Sequence, residues 1–435
     1  MEIVSAAKNS GALNSESDSI AAAVSQLADR ARQASRRLAS IDGEQRRAIL
    51  IGMADALEQA QPEIVRANNI DLQAGRENKM TAALLDRLEL TPARFQSMVE
   101  GIRKVAELPD PLDRVLSEFK HSDGLIIKKI RVPIGVIAMI YESRPNVTAD
   151  AAALCIRSGN AVILRSGREA FNSSLAIAKA LQSGGEKAGL PAGAIQLVEI
   201  ASRDAVRHLV QLEGKIDLVI PRGGEGLIRA VTEQARVPVI KHYKGVCHIY
   251  VDGAADLEMA VRIIENAKCQ RPGVCNAAET VLVAEAVAEK FLPLMAQNLT
   301  ARGVELRGDE QSRRIVPQMK AATEEDWYAE YLDLILAVRV VPGLDAAIDH
   351  ISKYGSAHSD AIITADRKAA DRFLREVDSA AVYWNASTRF TDGGEFGLGA
   401  EIGISTDKLH ARGPMGIEEL TSYKYVVVGE GQVRR

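Results

Sequence analysis

Residues 131–170, RVPIGVIAMIYESRPNVTADAAALCIRSGNAVILRSGREA, decide the fold class of this chain. Two short apolar runs, VIAMIY (136–141) and AVILR (161–165), are separated by an Ala- and Leu-rich helical stretch at 149–157. Unbroken apolar runs of this length are typical of strands buried on both faces of a parallel sheet. The segment therefore predicts a strand–helix–strand unit with a right-handed crossover.

The same alternation of apolar runs and helical stretches continues on the C-terminal side of this segment. It predicts an α/β protein with two doubly wound α/β domains, whose ligands sit outside the carboxyl ends of the strands. The further runs are IQLVEI (195–200), IDLVIP (216–221) and VPVI (237–240), then HIYVD (248–252), TVLVAE (280–285), LAVRVV (336–341) and DAIITA (360–365).

A second kind of strand flanks this α/β pattern. Asp123–Gly124 lies between two β-compatible runs in SEFKHSDGLIIKKIRVP, which is a hairpin signal. The tail SYKYVVVG (422–429) is another predicted strand, and we expect it to pair with the hairpin at 117–132.

Composition excludes several classes of function. The 435 residues contain 54 Lys+Arg and 58 Asp+Glu, a net charge of −4, and few aromatic residues, which argues against nucleic-acid binding. The most apolar stretch, Val132–Tyr141, is about half of the ~20 residues that a membrane span needs. The N-terminus has an early acid and no apolar core, and four cysteines are few for this length, so we expect a cytoplasmic protein.

Cys275 in RPGVCNAAET (271–280) is the first candidate for chemistry. It lies in a predicted loop between a helix, Leu257–Lys268, and a strand, Thr280–Glu285, where a substrate can approach it. A positive charge at Arg271 would favour the nucleophilic thiolate. The alternative is a small buried hydrophobic residue, which is the usual role of an isolated cysteine.

Two strand ends are candidate phosphate sites. Gly223 and Gly224 follow IDLVIPR and precede a helix, whose N-terminus offers free N–H groups and a positive dipole end. The run AVILR is followed by Ser166, Gly167 and Arg168, and Arg165 with Arg168 could bind a phosphorylated cofactor. An ordinary βα turn and an exposed basic turn are the alternatives.

Three other interpretations stay open at this point. A zinc site lacks the usual C-x-x-C or H-x₃-H spacing, so we expect no metal. A Cys–His hydrolase would pair Cys275 with His358 or His242, and a nucleotide-binding protein without catalysis would need only the strand ends. The zinc site would be drawn from Cys247, His248, Cys269 and Cys275.

Taken together, these segments resemble the aldehyde dehydrogenase superfamily and, within it, the γ-glutamyl phosphate reductase family, from about residue 20 to 430. The resemblance rests on residues 131–170, GLPAGAIQLVE (189–199), RPGVCNAAET (271–280), HISKYGSAHSDAI (350–362) and HARGPMGIEELTSYKY (410–425). It implies NADPH-dependent reduction of L-glutamyl 5-phosphate to glutamate 5-semialdehyde and phosphate, the second step of proline biosynthesis. A related phosphorylating or CoA-acylating aldehyde dehydrogenase is the alternative.

The resemblance also implies a three-part architecture. A nicotinamide-binding α/β domain with N-terminal helices would comprise residues 1–116 and 133–245, and a catalytic α/β domain residues 246–384. A β oligomerisation flap would comprise residues 117–132 and 385–435. We expect a homodimer or a higher homo-oligomer, because exposed edge strands otherwise pair without control. Contact with a glutamate kinase is a further expectation.

Residue roles follow from the same resemblance. Cys275 would be the nucleophile, and Asn146 in YESRPNV would donate to the oxyanion together with the cysteine N–H. Glu330 would hold the nicotinamide ribose. Ile240 and Lys241 occupy the place of the general-base Glu of hydrolytic relatives, so the thioacyl enzyme should not hydrolyse readily.

The remaining assignments concern the cofactor and the substrate. Arg168 stands where NAD-preferring relatives carry an acid, which together with Arg165 predicts a preference for NADPH. Arg144 and Arg271 are expected to bind substrate, since either guanidinium could hold the departing phosphate. His358 lies in a motif typical of the reductase and is included among the substrate-binding candidates.

Overall fold

The computed structural model describes the backbone of residues 2–434 and the side chains of residues 17–82 and 84–434. The chain folds into two compact units, each built around a parallel β-sheet. The first comprises Met1–Lys241, Gly397–Gly403 and Met415–Arg435, and the second His242–Phe396 and Ile404–Pro414. The prediction of an α/β protein with two parallel sheets is confirmed.

The first unit contains a four-stranded parallel sheet in the order β5-β4-β3-β6. Helix α6 (Val147–Arg157) connects its two central strands, as residues 131–170 predict. The run 237–240 forms only an isolated bridge, Val219 to Val239, instead of the predicted strand. Pro238 has no N–H to donate, which limits the pairing there. The strands are β3 (Val136–Tyr141), β4 (Ala161–Ser166), β5 (Ile195–Leu197) and β6 (Leu218–Arg222).

Helices cover this sheet and supply the rest of the unit's core. Ile20, Val24, Ala28 and Ala31 recur at helical spacing and pack in the same buried cluster as the sheet side chains. The helices are α1 (Glu2–Leu38), α2 (Gly43–Gln59), α3 (Gln61–Glu77), α4 (Ala82–Leu88), α5 (Pro92–Glu107), α7 (Phe171–Lys187), α8 (Arg203–Leu209) and α9 (Glu225–Gln234).

A polar contact fixes the start of strand β3. The N–H of Val136 donates to the Asp217 carboxylate at 2.8 Å, and Asp217 forms an ion pair with Arg32 of α1 at 2.7 Å. Gly135 has φ +133°, and a Cβ there would lie 2.2 Å from Asp217 Oδ2. Glycine is therefore required where the chain enters the sheet.

An antiparallel three-stranded sheet, grouped with the first unit, is formed by β1 (Val115–Lys120), β2 (Ile126–Pro133) and β16 (Thr421–Val428). This confirms the predicted hairpin and its pairing with the tail. Among the described residues of the predicted flap segment 385–435, only Thr421–Val428 belongs to this sheet. Residues Ile404–Pro414 of the same segment group with the second unit instead.

The second unit contains a seven-stranded parallel sheet in the order β10-β9-β11-β8-β7-β12-β13. The strands are β7 (Cys247–Val251), β8 (Ala278–Ala284), β9 (Glu305–Gly308), β10 (Lys320–Ala321), β11 (Ile335–Val341), β12 (Ser359–Ile363) and β13 (Ala381–Trp384), with a separate pair, β14 (Ile404–Ser405) and β15 (Gly413–Pro414). The helices are α10 (Leu257–Cys269), α11 (Glu285–Thr300), α12 (Glu310–Ile315), α13 (Glu324–Trp327), α14 (Leu344–Tyr354) and α15 (Arg367–Glu376).

Within the part of the chain that the structure describes, none of these helices combines the length and the apolar composition needed to cross a bilayer.

Candidate active site

The thiol of Cys275 lies in the loop between helix α10 and strand β8 of the second unit. Its side chain is partly exposed, whereas the next residue, Asn276, is buried. A thiol in this position can meet a small molecule while the following residues are fixed by the core. The predicted loop position of Cys275 is confirmed.

Two histidines lie next to this thiol. The ligand atoms of Cys275, His242 and His358 all lie within 4.8 Å of one another, and the imidazole centroids are 5.7 Å apart. His358 is fully buried, and its Nδ1 is 2.9 Å from the hydroxyl of Ser359. That hydroxyl is in turn 2.7 Å from the hydroxyl of Thr391, so the His358 ring has a fixed orientation.

The backbone before strand β7 passes very close to Cys275. A Cβ on Gly245 would lie 1.9 Å from the carbonyl oxygen of Cys275, so no other residue fits there without movement. The N–H of Gly245 donates to the carboxylate of Glu330 at 2.8 Å. Glu330, which the resemblance assigns to the cofactor ribose, thus supports the backbone beside the thiol.

A second cysteine contacts the same loop. The thiol of Cys247 donates to the carbonyl oxygen of Cys275 at 3.2 Å and lies 3.8 Å from Nδ1 of His358. Cys247 is fully buried, and burial raises the pKa of its thiol well above the ordinary value, with the Asp360 carboxylate adding to the shift. Cys247 is therefore a neutral hydrogen-bond donor to the loop.

An arginine absent from the sequence predictions spans the loop. Arg389 donates to the side-chain oxygen of Asn276 and, at 2.7 Å, to that of Gln270. Burial lowers the pKa of Arg389, and the positive charge of Arg271 lowers it further. The Asp392 carboxylate opposes both shifts. Both amide partners of Arg389 are uncharged, and Arg389 together with Arg271 places two guanidinium groups near Cys275. Arg389 lies in ASTRFTDGG, where neither spacing nor periodicity indicates a site.

A buried ion pair anchors both ends of the loop. Lys268 of α10 donates to Glu279 of β8 at 2.6 Å, and both side chains are fully buried. Burial raises the pKa of Glu279 to about 7 and lowers that of Lys268, while the attraction between the opposite charges counteracts both shifts. Glu279 also accepts from the N–H of Leu332, two residues after Glu330.

The basic strand end of the first unit forms a cluster around one carbonyl group. Arg165 and Arg168 both donate to the carbonyl oxygen of Ala201, at 3.3 Å and 3.1 Å. Burial lowers the pKa of Arg165, and the charges of Arg168 and Arg203 add to this shift although the Glu169 carboxylate opposes it. Arg203 was not predicted as a site residue. The structure thus brings three guanidinium groups together after strand β4.

Glycines allow carboxylates to approach the backbone closely after strands β4 and β6. Ser166 is buried at the end of β4, and a Cβ on Gly167 would lie 2.1 Å from the Glu169 carboxylate. At the end of β6, the N–H of Gly224 donates to the carboxylate of Glu142 at 3.0 Å. A Cβ on Gly223 would lie 2.4 Å from the same carboxylate. The predicted phosphate role of Gly223 and Gly224 stays a prediction, and a carboxylate occupies this helix N-terminus here.

The YESRPNV segment places Asn146 at the start of helix α6. Its side-chain amide donates to the carboxylate of Asp150 at 2.9 Å. Burial raises the pKa of Asp150 to about 6, and the hydrogen bond from Asn146 opposes this shift. Arg144 is partly buried in the turn before the helix. The roles of Asn146 and Arg144 in catalysis and substrate binding stay predictions.

The model of the aldehyde dehydrogenase family matches residues 2–333. The chain belongs to the aldehyde dehydrogenase family. Within that family, a gamma-glutamyl phosphate reductase of Caldanaerobacter subterraneus subsp. tengcongensis is 56% identical over 94% of this chain and 99% of its own length. One of Geobacter metallireducens is 54% identical over 96% of this chain and 100% of its own length.

Solved structures of the aldehyde dehydrogenase family agree. The gamma-glutamyl phosphate reductase of Thermotoga maritima is 46% identical, with a TM-score of 0.93, and the match covers 95% of this chain and 100% of that one. An acetylating aldehyde dehydrogenase of Geobacillus thermoglucosidasius shares the fold at 17% identity, with a TM-score of 0.68 and coverage of 96% and 99%. The aldehyde dehydrogenase-like fold that the sequence predicts is thereby confirmed.

For this family member, the structure gathers the predicted residues into two groups. Cys275, Arg271, Glu330 and His358 belong to the second unit, and Arg165, Ser166, Gly167 and Arg168 belong to the first. The zinc set drawn from Cys247, His248, Cys269 and Cys275 is not assembled. Within the described side chains, the group close enough to share an ion is His242, Cys275 and His358.

We predict that Gly245→Ala slows alkylation of Cys275 by iodoacetamide at least about 10-fold. The added methyl group would overlap the Cys275 carbonyl, and because no side-chain rotation can relieve that overlap, the backbone of Cys275 must move. The measurement is the pseudo-first-order rate of Cys275 modification, followed by mass spectrometry of the digested protein. Gly253→Ala is the matched control, since its Cβ would meet Ala286 at an ordinary 3.6 Å. Equal alkylation rates in both variants would contradict the prediction.

Proposed function

We propose that this chain reduces L-glutamyl 5-phosphate with NADPH to glutamate 5-semialdehyde and phosphate, the second step of proline biosynthesis. The observation that carries the proposal is the partly exposed Cys275 thiol beside His242 and His358, in a chain 56% and 54% identical to two gamma-glutamyl phosphate reductases. A cysteine nucleophile suits an acyl phosphate, because the thiolate attacks the carbonyl carbon and the phosphate leaves as a stable anion.

The proposed chemistry assigns separate tasks to the residues around Cys275. His242 or His358 accepts the thiol proton, and the thiolate then forms a thioester as the C–O bond to phosphate breaks. When bound, NADPH supplies the hydride for the thioester carbonyl. The backbone N–H of Cys275 donates to the resulting oxyanion, and collapse of the thiohemiacetal releases the aldehyde and regenerates the thiolate.

Water is a poor competitor in this proposal because two carboxylates of this region, Glu279 and Glu330, have other partners. Glu279 is paired with Lys268 in the core, and Glu330 accepts from the N–H of Gly245. Neither is presented to the thioester as a general base. This supports the sequence interpretation that the acyl group exchanges with phosphate rather than with water.

Arg271 and Arg389 are proposed to bind the anionic groups of the substrate. Each guanidinium can donate bidentately to phosphate, and Arg389 is held against the loop by Gln270 and Asn276. The charge of Arg271 acts on Arg389 more strongly than the opposing Asp392 carboxylate does, so a bound anion would relieve the repulsion between the two cations.

We propose NADPH as the preferred cofactor and a homo-oligomer as the assembly. The cluster of Arg165, Arg168 and Arg203 suits a 2′-phosphate. On the antiparallel sheet, Phe119 and Tyr425 are 60% and 62% exposed, on strands β1 and β16 at its two edges. Exposed apolar edge strands favour pairing with a second copy, and sedimentation of the purified chain as a monomer would contradict this assembly.

The central prediction is phosphate-dependent NADPH formation from glutamate 5-semialdehyde and NADP⁺, followed by absorbance. Cys275→Ala should lose at least about 10³-fold in kcat, because the covalent route is removed. Cys269→Ala, which removes a partly buried thiol outside the loop, should retain activity. Activity that needs coenzyme A instead of phosphate, or neither, would contradict the proposal.

A second prediction concerns the anion site. Arg389→Gln should raise the KM for phosphate in this assay about 10-fold or more, whereas Arg389→Lys, which keeps the charge, should raise it less. Arg375→Gln, on the exposed surface of α15, is the control. If both Arg389 variants lower kcat equally and leave the KM for phosphate unchanged, Arg389 supports the loop and does not bind phosphate.

A third prediction tests the cofactor. Arg168→Gln should lower kcat/KM for NADP⁺ by about 10–100-fold, because a charge-assisted contact to phosphate is lost, and should change kcat/KM for NAD⁺ little. Arg207→Gln on helix α8 is the control. A wild-type enzyme that uses the two cofactors equally well would exclude this assignment.

A further inference from the structure

The group formed by Cys275, His242 and His358 has a chemical property that the proposed reaction does not use. A thiolate and two imidazoles are the ligands that Zn²⁺ and Co²⁺ prefer, and here all three belong to one unit. Bond lengths of about 2.3 Å to sulfur and 2.0–2.1 Å to nitrogen place tetrahedral ligand atoms roughly 3.4–3.6 Å apart. The atoms observed within 4.8 Å of one another thus need to close by at most about 1.4 Å.

The surroundings favour this closure. The imidazole of His358 is fixed at Nδ1 by Ser359, whose hydroxyl contacts Thr391, and such a hydrogen bond to a ligand ring raises affinity for the metal. His242 and Cys275 are both partly exposed, so their side chains can rotate and an ion can enter. Three protein ligands leave a fourth position for water or another small ligand.

We propose that Cys275, His242 and His358 form a binding site for a thiophilic divalent cation of the Zn²⁺ class. Binding converts the Cys275 thiol to a metal-bound thiolate and releases its proton. The thiolate is then unavailable as a nucleophile. The consequence for catalysis, a reversible block of the enzyme by the cation, rests on the proposed function, whereas the binding itself does not.

A second histidine cluster of this unit, His248 and His350, differs from the group around Cys275. His248 and His350 have ring centroids 5.3 Å apart, but both side chains are buried, and the neighbouring Asp360 accepts from the backbone of His248. Burial lowers the pKa of His350 to about 2. This cluster provides no thiol and no exposed ligand, so we assign the cation to the group around Cys275.

The test uses Co²⁺ as a spectroscopic probe, added to the full-length reduced protein without oxygen. We expect one equivalent to produce sulfur-to-cobalt charge-transfer absorption and the intense visible bands of a tetrahedral site. Cys275→Ser should abolish the charge-transfer band. His242→Gln and His358→Gln should each weaken Co²⁺ binding at least about 10-fold, since losing a direct ligand costs no less than losing an outer partner.

A second measurement, the alkylation rate of Cys275, depends neither on catalysis nor on the cobalt absorption bands. Zn²⁺ should slow alkylation of Cys275 by iodoacetamide at least about 10-fold, and a chelator should restore the rate. His121→Gln, in the hairpin turn of the other unit, is the matched control and should behave as wild type. Because His242 is partly exposed, its variant tests the site even if the buried His358 variant fails to fold.

The proposal is overturned if Co²⁺ gives no charge-transfer band, or if His242→Gln binds Co²⁺ as tightly as wild type does. It is also overturned if Zn²⁺ leaves the alkylation rate of Cys275 unchanged. A protein that binds Co²⁺ as predicted but lacks phosphate-dependent NADPH formation would retain the metal site and disprove the proposed function instead.

Discussion

The arrangement around Cys275 depends on how closely two backbone segments approach each other. The chain before β7 crosses the loop before β8 at Gly245, where even one methyl group would collide with the Cys275 carbonyl. Because the two segments are this close, the Cys247 thiol donates to the same Cys275 carbonyl. The Glu330 carboxylate accepts from the N–H of Gly245 in the crossing segment. The loop that carries the proposed nucleophile is therefore fixed by contacts to its backbone, while the thiol itself stays partly exposed.

The buried pair Lys268–Glu279 fixes the loop at its two ends. A fully buried ion pair contributes little net stability, because desolvation offsets the attraction, yet removing one partner leaves an unpaired charge in the core. The folded-state pKa of Glu279, about 7, lies above its ordinary value, so folding takes up protons between about pH 4.5 and 7. The contribution of Glu279 to stability decreases as pH rises through this window.

Sequence patterns predicted the elements well and the contacts between distant residues poorly. The strand–helix–strand segment 131–170 folds as predicted because its apolar runs are favourable only where both faces of a strand are buried. The sequence suggests His242 only as a base for a hydrolase and gives no signal for Arg389. His242 lies in the segment before β7, and Arg389 contacts Gln270 and Asn276 from the distant 3₁₀ helix Thr388–Phe390. Glu330 was identified by resemblance, yet its hydrogen bond to Gly245 depends on a backbone approach that no sequence spacing encodes.

The charges near Cys275 are the reason why we propose exchange with phosphate. Hydrolysis of a thioester needs a base that activates water, and the carboxylates Glu279 and Glu330 are bound to other groups. Arg271 and Arg389 are cations that attract anions, and in the proposed reaction they lower the energy of the departing phosphate. The two imidazoles can take the thiol proton without supplying a permanent negative charge. In the proposed function, such a site activates sulfur and admits phosphate but leaves water unactivated.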